Sequence, residues 1–405
     1  MTRLFRNANF RSLWLGQLVS IFGDRLQYLA LLSLLVEGAR DPRNPAPELA
    51  LVPVVSFLPT ILIGPVAGAL VDGWDTRRVL LVSDFLRGCV VLLTIPAALR
   101  LGLPAAFAMV FLLYLVNSFF LPARSAILPD LVEPEDLVEA NSLATLAGVL
   151  ATIAGSLLGG FLVERVGWKW GFGFDAVTYF VSVLFLAALR PRARERRARP
   201  PDLKGLYGAL GRDVKEGASL TVRNRAVLGP LLALVLLWMA GGVLHVAGTT
   251  LLRQRLHTFV SGTGGLLSAV GFGMVAGTLL TAWTGQRLSA RGSMAAGLAG
   301  TGVALLVFAR AYSLGALLAV AFAAGIFVAI LLVTTESVVQ AAVDASARGR
   351  VFALRDFSTR VAVLAVAGLL GVLLGREWIA PSMAVTGAGA LLLTGAVACY
   401  AGWKR

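Results

Sequence analysis

Long apolar runs recur along the whole chain and are separated mostly by short polar connections. Twelve of them approach or exceed about 20 residues, the length with which a helix crosses the hydrocarbon core of a bilayer. The predicted spans are 12–36, 48–71, 79–99, 105–127, 138–163, 170–189, 226–250, 264–286, 294–310, 314–335, 352–374 and 380–401. The pattern therefore predicts an all-α polytopic membrane protein with twelve transmembrane helices.

One connection is much longer than the others. Residues 190–225 are rich in arginine and contain the pair Pro200 and Pro201. We expect an N-terminal six-helix bundle at 1–189, a basic cytoplasmic linker at 190–225 and a C-terminal six-helix bundle at 226–405. A weak internal repeat agrees with this division, because "GALVDGWDTRR" follows the second span and "GQRLSARGS", which begins at Gly285, follows the eighth. A parallel six-plus-six repeat predicts a substrate site between the halves, near the midplane of the membrane.

Composition and charge support the same class of protein. The chain is 58% hydrophobic and 14% charged, with a mean hydropathy of +0.81 and a net charge of +14. In a soluble protein such a charge would suggest nucleic acid, but here the basic residues cluster between apolar runs, so we expect no nucleic-acid partner. With both termini and the linker on one side, that side carries about 24 basic residues and the other about 9. The positive-inside rule then predicts a multi-pass protein of the inner membrane with cytoplasmic termini.

Two charges stand in the middle of the first span, "QLVSIFGDRLQYLALLSLLVE", residues 17–37. Moving either Asp24 or Arg25 to the bilayer centre costs about 2.5–3.5 kcal/mol. At helical spacing the polar residues of this span form one stripe, made of Gln17, Ser20, Asp24, Gln27 and Tyr28, with Arg25 at its margin. A polar stripe on a spanning helix predicts that the helix lines a water-filled cavity.

Two interpretations of these charges as functional groups stay open. Asp24 carries a proton, or Asp24 and Arg25 hold the zwitterionic or amphipathic headgroup of a substrate. A buried ion network that only holds the helix in place is the structural alternative. Asn117 in the fourth span and His245 in the seventh are further candidates for the polar lining.

The stretch "GALVDGWDTRRVLLVSDFLRG", residues 68–88, resembles the loop signature that follows the second helix in the major facilitator superfamily. Gly68 and Asp72 stand at the signature positions, and Arg77 and Arg78 supply its basic end. The segments "FRSLWLGQLVSIFGDRL", "LPARSAILPDLVEPEDLVEANSL" and "RGRVFAL" resemble the branch that contains the enterobactin exporter and related efflux proteins, and also bacterial lysophospholipid transporters. The resemblance implies the major facilitator fold and alternating access by two rocking halves.

The resemblance also implies a conformational gate. Gly68 is expected to allow two helices to approach closely, and Asp72 to face the N-terminus of the eleventh helix, where the helix dipole favours an anion. We expect a cytoplasmic charge network that latches the two halves, completed by Arg77, Arg78, Asp84 and Arg87. Ordinary anchoring of these charges at lipid headgroups is the alternative.

A second pair of gate charges ends the fourth and tenth spans. We expect Arg124 and Glu336 to pair when the inner gate closes, with Arg355 and Asp356 extending the cytoplasmic charge cluster. The alternative is that Arg124 and Glu336 are separately solvated.

The sequence contains no phosphate-binding loop, metal-ligand cluster or nucleophile elbow. We therefore expect a transporter rather than an enzyme, without a cofactor or a metal. The first hypothesis is a monomeric secondary exporter of amphipathic small molecules, of the drug or siderophore type, driven by protons. The second is a lysophospholipid transporter of the inner membrane, and the third is a receptor or scaffold that does not transport.

Overall fold

The computed structural model describes residues 2–191, 203–256, 259–284 and 289–402. Most of the arginine-rich part of the predicted linker, and Gly285 of the internal repeat, lie outside the described residues.

The described residues form twelve helices that are long and apolar enough to cross a membrane. We number them α1 (Ala8–Gly38), α2 (Ala46–Val71), α3 (Thr76–Leu101), α4 (Leu103–Ile127), α5 (Leu137–Val166), α6 (Trp168–Ala187), α7 (Arg225–Val243), α8 (Phe259–Thr284), α9 (Ala290–Phe308), α10 (Leu314–Ala342), α11 (Ala345–Gly375) and α12 (Pro381–Gly402). Each coincides with one predicted span, so the all-α, twelve-helix prediction is confirmed.

Local signals fix where these helices begin and end. Asp75 caps α3, because its side chain accepts a hydrogen bond from the backbone N–H of Arg78 at 3.1 Å. Gly102, with a φ of 77°, ends α3 and starts α4, so a single residue joins the two spans. Ser289 and Ser313 cap α9 and α10 in the same way as Asp75. Caps of this kind satisfy backbone N–H groups that a helix leaves without partners.

By their internal contacts the residues divide into two compact units, 1–38 with 54–207 and 39–53 with 208–405. This division differs from the predicted boundaries at 189 and 226. Residues 39–53 belong with the second unit because they pack on α11: the Asn44 side chain donates to the carbonyl oxygen of Leu374 at 2.8 Å, and Gly371 lies against Ala50.

In the first unit, α1 packs on α5 and α6, and α3 packs on α4 and α6. A buried apolar core at the end where α1 begins includes Phe10, Leu80, Ile127 and Leu186. Gly155 of α5 allows the closest approach to α1, since a Cβ at this position would lie 2.7 Å from the carbonyl oxygen of Phe22. Small residues serve this purpose generally in membrane helices.

In the second unit, α8 packs on α10, α9 packs on α10 and α12, and α7 packs on α11. A π-helical turn at Leu244–Gly248 and a short helix at Thr249–Arg255 continue α7. The helix Leu203–Arg223 precedes α7. Its Gly217 packs against the backbone of Arg350, because a Cβ at Gly217 would lie 2.8 Å from the carbonyl oxygen of Arg350.

Candidate transport site

Asp24 lies half-buried near the middle of α1, and its carboxylate contacts α6. The hydroxyl of Tyr179 donates a hydrogen bond to Asp24 Oδ1 at 2.5 Å. The neighbouring residue, Gly23, makes this approach possible, because a Cβ there would collide with the side chains of Thr178 and Asp175. The absence of a side chain at position 23 thus brings the Asp24 carboxylate within reach of α6.

A buried ion pair lies on α3 beside this contact. The guanidinium of Arg87 pairs with Asp84, and both side chains are almost fully buried. Ser182 of α6 donates to the second carboxylate oxygen of Asp84 at 2.6 Å. Arg87 donates to the side-chain oxygen of Asn117 on α4 at 3.1 Å. Such additional hydrogen bonds are what a buried ion pair needs to offset its desolvation.

Tyr179 joins the two groups of charges into one network. Its hydroxyl reaches Asp24, while the guanidinium carbon of Arg87 lies 4.6 Å from its ring centroid. The same guanidinium lies 3.8 Å from the ring of Phe120, so it is held between two aromatic faces in a cation–π arrangement. A change at Asp24 can therefore act on Arg87 through one side chain.

The other polar residues of the predicted stripe on α1 differ in burial and in whether their side-chain nitrogens have hydrogen-bond partners. Gln17 and Gln27 are buried, and their side-chain nitrogens have no hydrogen-bond partner among the described residues. Arg25 and Tyr28 are half-buried, and Arg25 Nε also lacks a partner in the described part of the chain. These nitrogens retain the capacity to donate to water or to a polar group of a substrate.

Three residues of α6 complete the site, and the sequence alone did not assign them to it. Asp175, Tyr179 and Ser182 are all buried. Thr178 donates to Asp175 Oδ1 at 3.2 Å, whereas Asp175 Oδ2 has no partner among the described residues. The spacing i, i+4, i+7 places the three on one helix face, and this is the signal by which sequence reasoning could have found them.

Within the first unit, the charges of the predicted network after α2 fall into two separate groups, and their role as a latch stays a prediction. The Arg77 guanidinium binds the carbonyl oxygens of Leu186 and Ala187 at the end of α6, and Arg78 is 84% exposed beside Asp75. Asp84 and Arg87 instead form the buried pair described above. With a rise of 1.5 Å per residue, the buried pair lies roughly 10 Å or more deeper along α3 than these two arginines.

Gly68 and Asp72 occupy the end of α2. Asp72 is exposed, and its backbone N–H donates to the carbonyl oxygen of Gly68 at 3.1 Å. Within the first unit, a Cβ at Gly68 would meet no described atom within 4 Å. The close helix approach expected at Gly68 is therefore not present in its own unit, and the contact of Asp72 with the eleventh helix stays a prediction.

In the second unit, the Glu336 carboxylate pairs with Arg355 of α11. Gln340 donates to its other oxygen at 3.1 Å, and Arg355 also binds Asp356 Oδ1 at 2.9 Å. Arg124 of the first unit is half-buried on α4. The structure thus shows Glu336 bound to partners in its own unit, and the predicted pairing with Arg124 stays a prediction.

His245 lies in the π-helical turn after α7, a type of turn often found at functional sites. Its Nε2 lies 3.1 Å from the carbonyl oxygen of Leu49. Because a carbonyl oxygen only accepts, Nε2 carries the hydrogen in this contact. His245 therefore ties this turn to residues 39–53 of the same unit, and its place in a shared polar lining with Asp24 stays a prediction.

Comparison with known proteins decides the family. The family model described as the Major Facilitator Superfamily matches residues 13–260. The chain belongs to the Major Facilitator Superfamily.

Relatives of this superfamily member resemble it along most of its length. The uncharacterised MFS-type transporter YfiS of Bacillus subtilis is 28% identical over 405 residues, with 96% of this chain and 92% of YfiS covered. BacE of Bacillus subtilis, a candidate bacilysin exporter, is 26% identical over 270 residues, with 64% of this chain and 65% of BacE covered.

A solved bacterial homologue of the iron transporter ferroportin superposes with a TM-score of 0.72 at 16% identity, covering 98% of both chains. At this identity the likeness concerns the fold alone. The relatives and structural neighbours are transporters and not enzymes, so this major facilitator protein is a multi-pass membrane transporter.

Proposed function

We propose that this protein exports amphipathic small molecules across the inner membrane by alternating access, and that proton binding at Asp24 drives the cycle. The observation that carries the proposal is the hydrogen bond from Tyr179 to Asp24, which links a carboxylate in the middle of α1 to the buried Arg87–Asp84 pair. Ionisable groups inside membrane proteins generally mark ion or substrate pathways. The likeness to BacE, a candidate exporter, supports outward transport.

The chemistry of the contact suggests how a proton changes the site. An ionised Asp24 accepts a strong, charge-assisted hydrogen bond from Tyr179. A protonated carboxyl group loses this charge and gains a donor, so the bond weakens and α1 is released from α6 at this level. Arg87, which lies on the ring of Tyr179, then faces a neutral rather than an anionic neighbour at Asp24.

Substrate would meet the donors on α1. The side-chain nitrogens of Gln17, Gln27 and Arg25 retain hydrogen-bonding capacity, and most other residues of α1 are apolar. An amphipathic molecule of the drug or siderophore type satisfies both kinds of surface. We also propose cytoplasmic termini and a monomer, on the positive-inside pattern and on the resemblance to this superfamily.

One observation favours a lysophospholipid as a second candidate substrate. Asp24 and Arg25 are adjacent and half-buried, and Arg25 Nε has no hydrogen-bond partner in the described part of the chain. A cation beside an anion complements a zwitterionic headgroup that carries a phosphate and an ammonium.

Transport into and out of proteoliposomes tests the proposal. With an imposed pH gradient, wild type should move a fluorescent amphipathic dye, Asp24→Asn should lose at least tenfold of the rate, and Asp24→Glu should retain part of it. Dye transport by Asp24→Asn at the wild-type rate would contradict the role of the carboxylate. Translocation of lysophosphatidylethanolamine that persists after the gradient is collapsed would favour the second candidate.

A further inference from the structure

A lateral groove opens on the second unit, between α7, α9 and α12. Its volume is about 370 Å³, within the range of small-molecule pockets. Its lining is mainly apolar and includes four leucines, namely Leu228, Leu232, Leu236 and Leu298. Leu232 is 52% exposed on a membrane-spanning helix, so the groove faces outward from the unit.

The groove has the depth of one leaflet. Arg225 is the first residue of α7, and Leu236 lies three turns further along the same helix. This distance corresponds to roughly 16 Å at 1.5 Å per residue, about half of the ~30 Å hydrocarbon thickness. The apolar surface therefore matches the length over which an acyl chain runs from the membrane surface to the midplane.

Positive charge is concentrated at the surface end of the groove. Arg225 is exposed and is the residue with a formal charge among those that line it. Cys399 of α12 lies in the same lining as Arg225. Arg225 is also the N-terminal residue of α7, and helix N-termini favour anions.

We infer that this groove binds an anionic phospholipid, with the phosphate on Arg225 and one acyl chain along the leucines. A soluble anion would bind the charged end of the groove but leave its apolar lining unoccupied. A zwitterionic lipid would place its own cationic group close to Arg225, which carries the same charge. Basic pockets between membrane helices bind anionic headgroups in this way. The inference is independent of the transported substrate and of proton coupling.

Native mass spectrometry of the purified full chain tests the inference. Phosphatidylglycerol should remain bound at least fivefold more than phosphatidylcholine with the same acyl chains. Arg225→Ala should remove this preference, whereas Arg225→Lys should retain it. Arg310→Ala is the matched control, since Arg310 is an exposed arginine beyond the opposite end of α9, and its preference should equal that of wild type.

Two further experiments test whether phosphatidylglycerol itself occupies the groove. Ala398→Leu, at an exposed position that lines the groove, should reduce phosphatidylglycerol binding while Arg225 is intact. Phosphatidylglycerol should raise the melting temperature of wild type and not of Arg225→Ala, and millimolar inorganic phosphate should not displace it. Equal lipid retention by Arg225→Ala and Arg310→Ala, or displacement by inorganic phosphate, would overturn the inference.

Discussion

Tyr179 contacts both Asp24 and the Arg87–Asp84 pair of the first unit. It donates to Asp24 and presents its ring to Arg87, so hydroxyl and ring have separable roles. The polar stripe of α1 was predictable, because helical period alone groups Gln17, Asp24 and Gln27. Its partner was not, because Tyr179 is 155 positions away along the chain and only tertiary packing brings it to Asp24.

Tyr179→Phe removes the hydroxyl and keeps the ring over Arg87. A hydrogen bond to a charged group contributes about 1.5–3 kcal/mol, so we expect gradient-driven dye transport to fall about tenfold or more while the folded yield is retained. Tyr312→Phe is the matched control, because it keeps a ring beside Arg255 and should transport as wild type does. Unchanged transport by Tyr179→Phe would remove the hydroxyl from the mechanism.

Arg87 and Arg78 lie on the same helix but should differ sharply in their contribution to stability. Arg87→Gln leaves Asp84 buried without its cation, which costs about 3–5 kcal/mol, and denaturation should show a large loss of stability. Arg78→Gln breaks an exposed pair with Asp75 and should cost about 1 kcal/mol or less. The combined change Asp84→Asn with Arg87→Gln should recover part of the loss, since no uncompensated charge then remains at these two positions. An equal loss for Arg78→Gln would contradict the buried placement.

At the scale of the helices, the apolar runs predicted all twelve spans because bilayer thickness sets helix length regardless of tertiary packing. The limits moved where local chemistry decides them, as at Asp75, which starts α3 before the predicted residue 79. The pattern of apolar residues could not distinguish the π-helical turn at Leu244–Gly248 from an ordinary α-helical turn. The sequence did not reveal the buried pairing of Asp84 with Arg87, because it depends on packing against Ser182 of α6.

The contact of α1 with α6 requires a glycine at one position of α1. Gly23→Ala should sharply lower the folded yield, because its Cβ would collide with Thr178 and Asp175. Gly173→Ala on α6 is the matched control, since a Cβ there meets no described atom within 4 Å, and it should fold as well as wild type. Size-exclusion profiles and melting temperatures in detergent measure both, and a well-folded Gly23→Ala would contradict this packing.

At the scale of the whole molecule, one long basic connection predicts two six-helix halves, and this division stays a prediction. The grouping of residues 39–53 with the second unit could not be predicted, because it depends on contacts such as that of Asn44 with Leu374. The partners of the predicted gate charges also depend on tertiary contacts. Their position at helix ends followed from the sequence, but the partner of Glu336 in its unit, Arg355, emerged only from packing.

Double-mutant cycles at Glu336 separate the structural pair from the proposed gate. Glu336→Gln and Arg355→Gln should be non-additive in stability, because the two side chains share an ion pair. Glu336→Gln and Arg124→Gln should be non-additive in transport rate if they meet when the gate closes. Strictly additive effects of the second pair on transport would remove the gate contact and leave the fold unchanged.

Proton coupling at Asp24 is tested most directly by counting protons against substrate in the same proteoliposomes. A pH-sensitive dye inside the vesicles should report proton movement that begins on addition of substrate to wild type and scales with the amount transported. Asp24→Asn should show no substrate-dependent proton movement, even where it still exchanges substrate across the membrane. Substrate-dependent proton movement of wild-type size in Asp24→Asn would contradict Asp24 as the proton carrier.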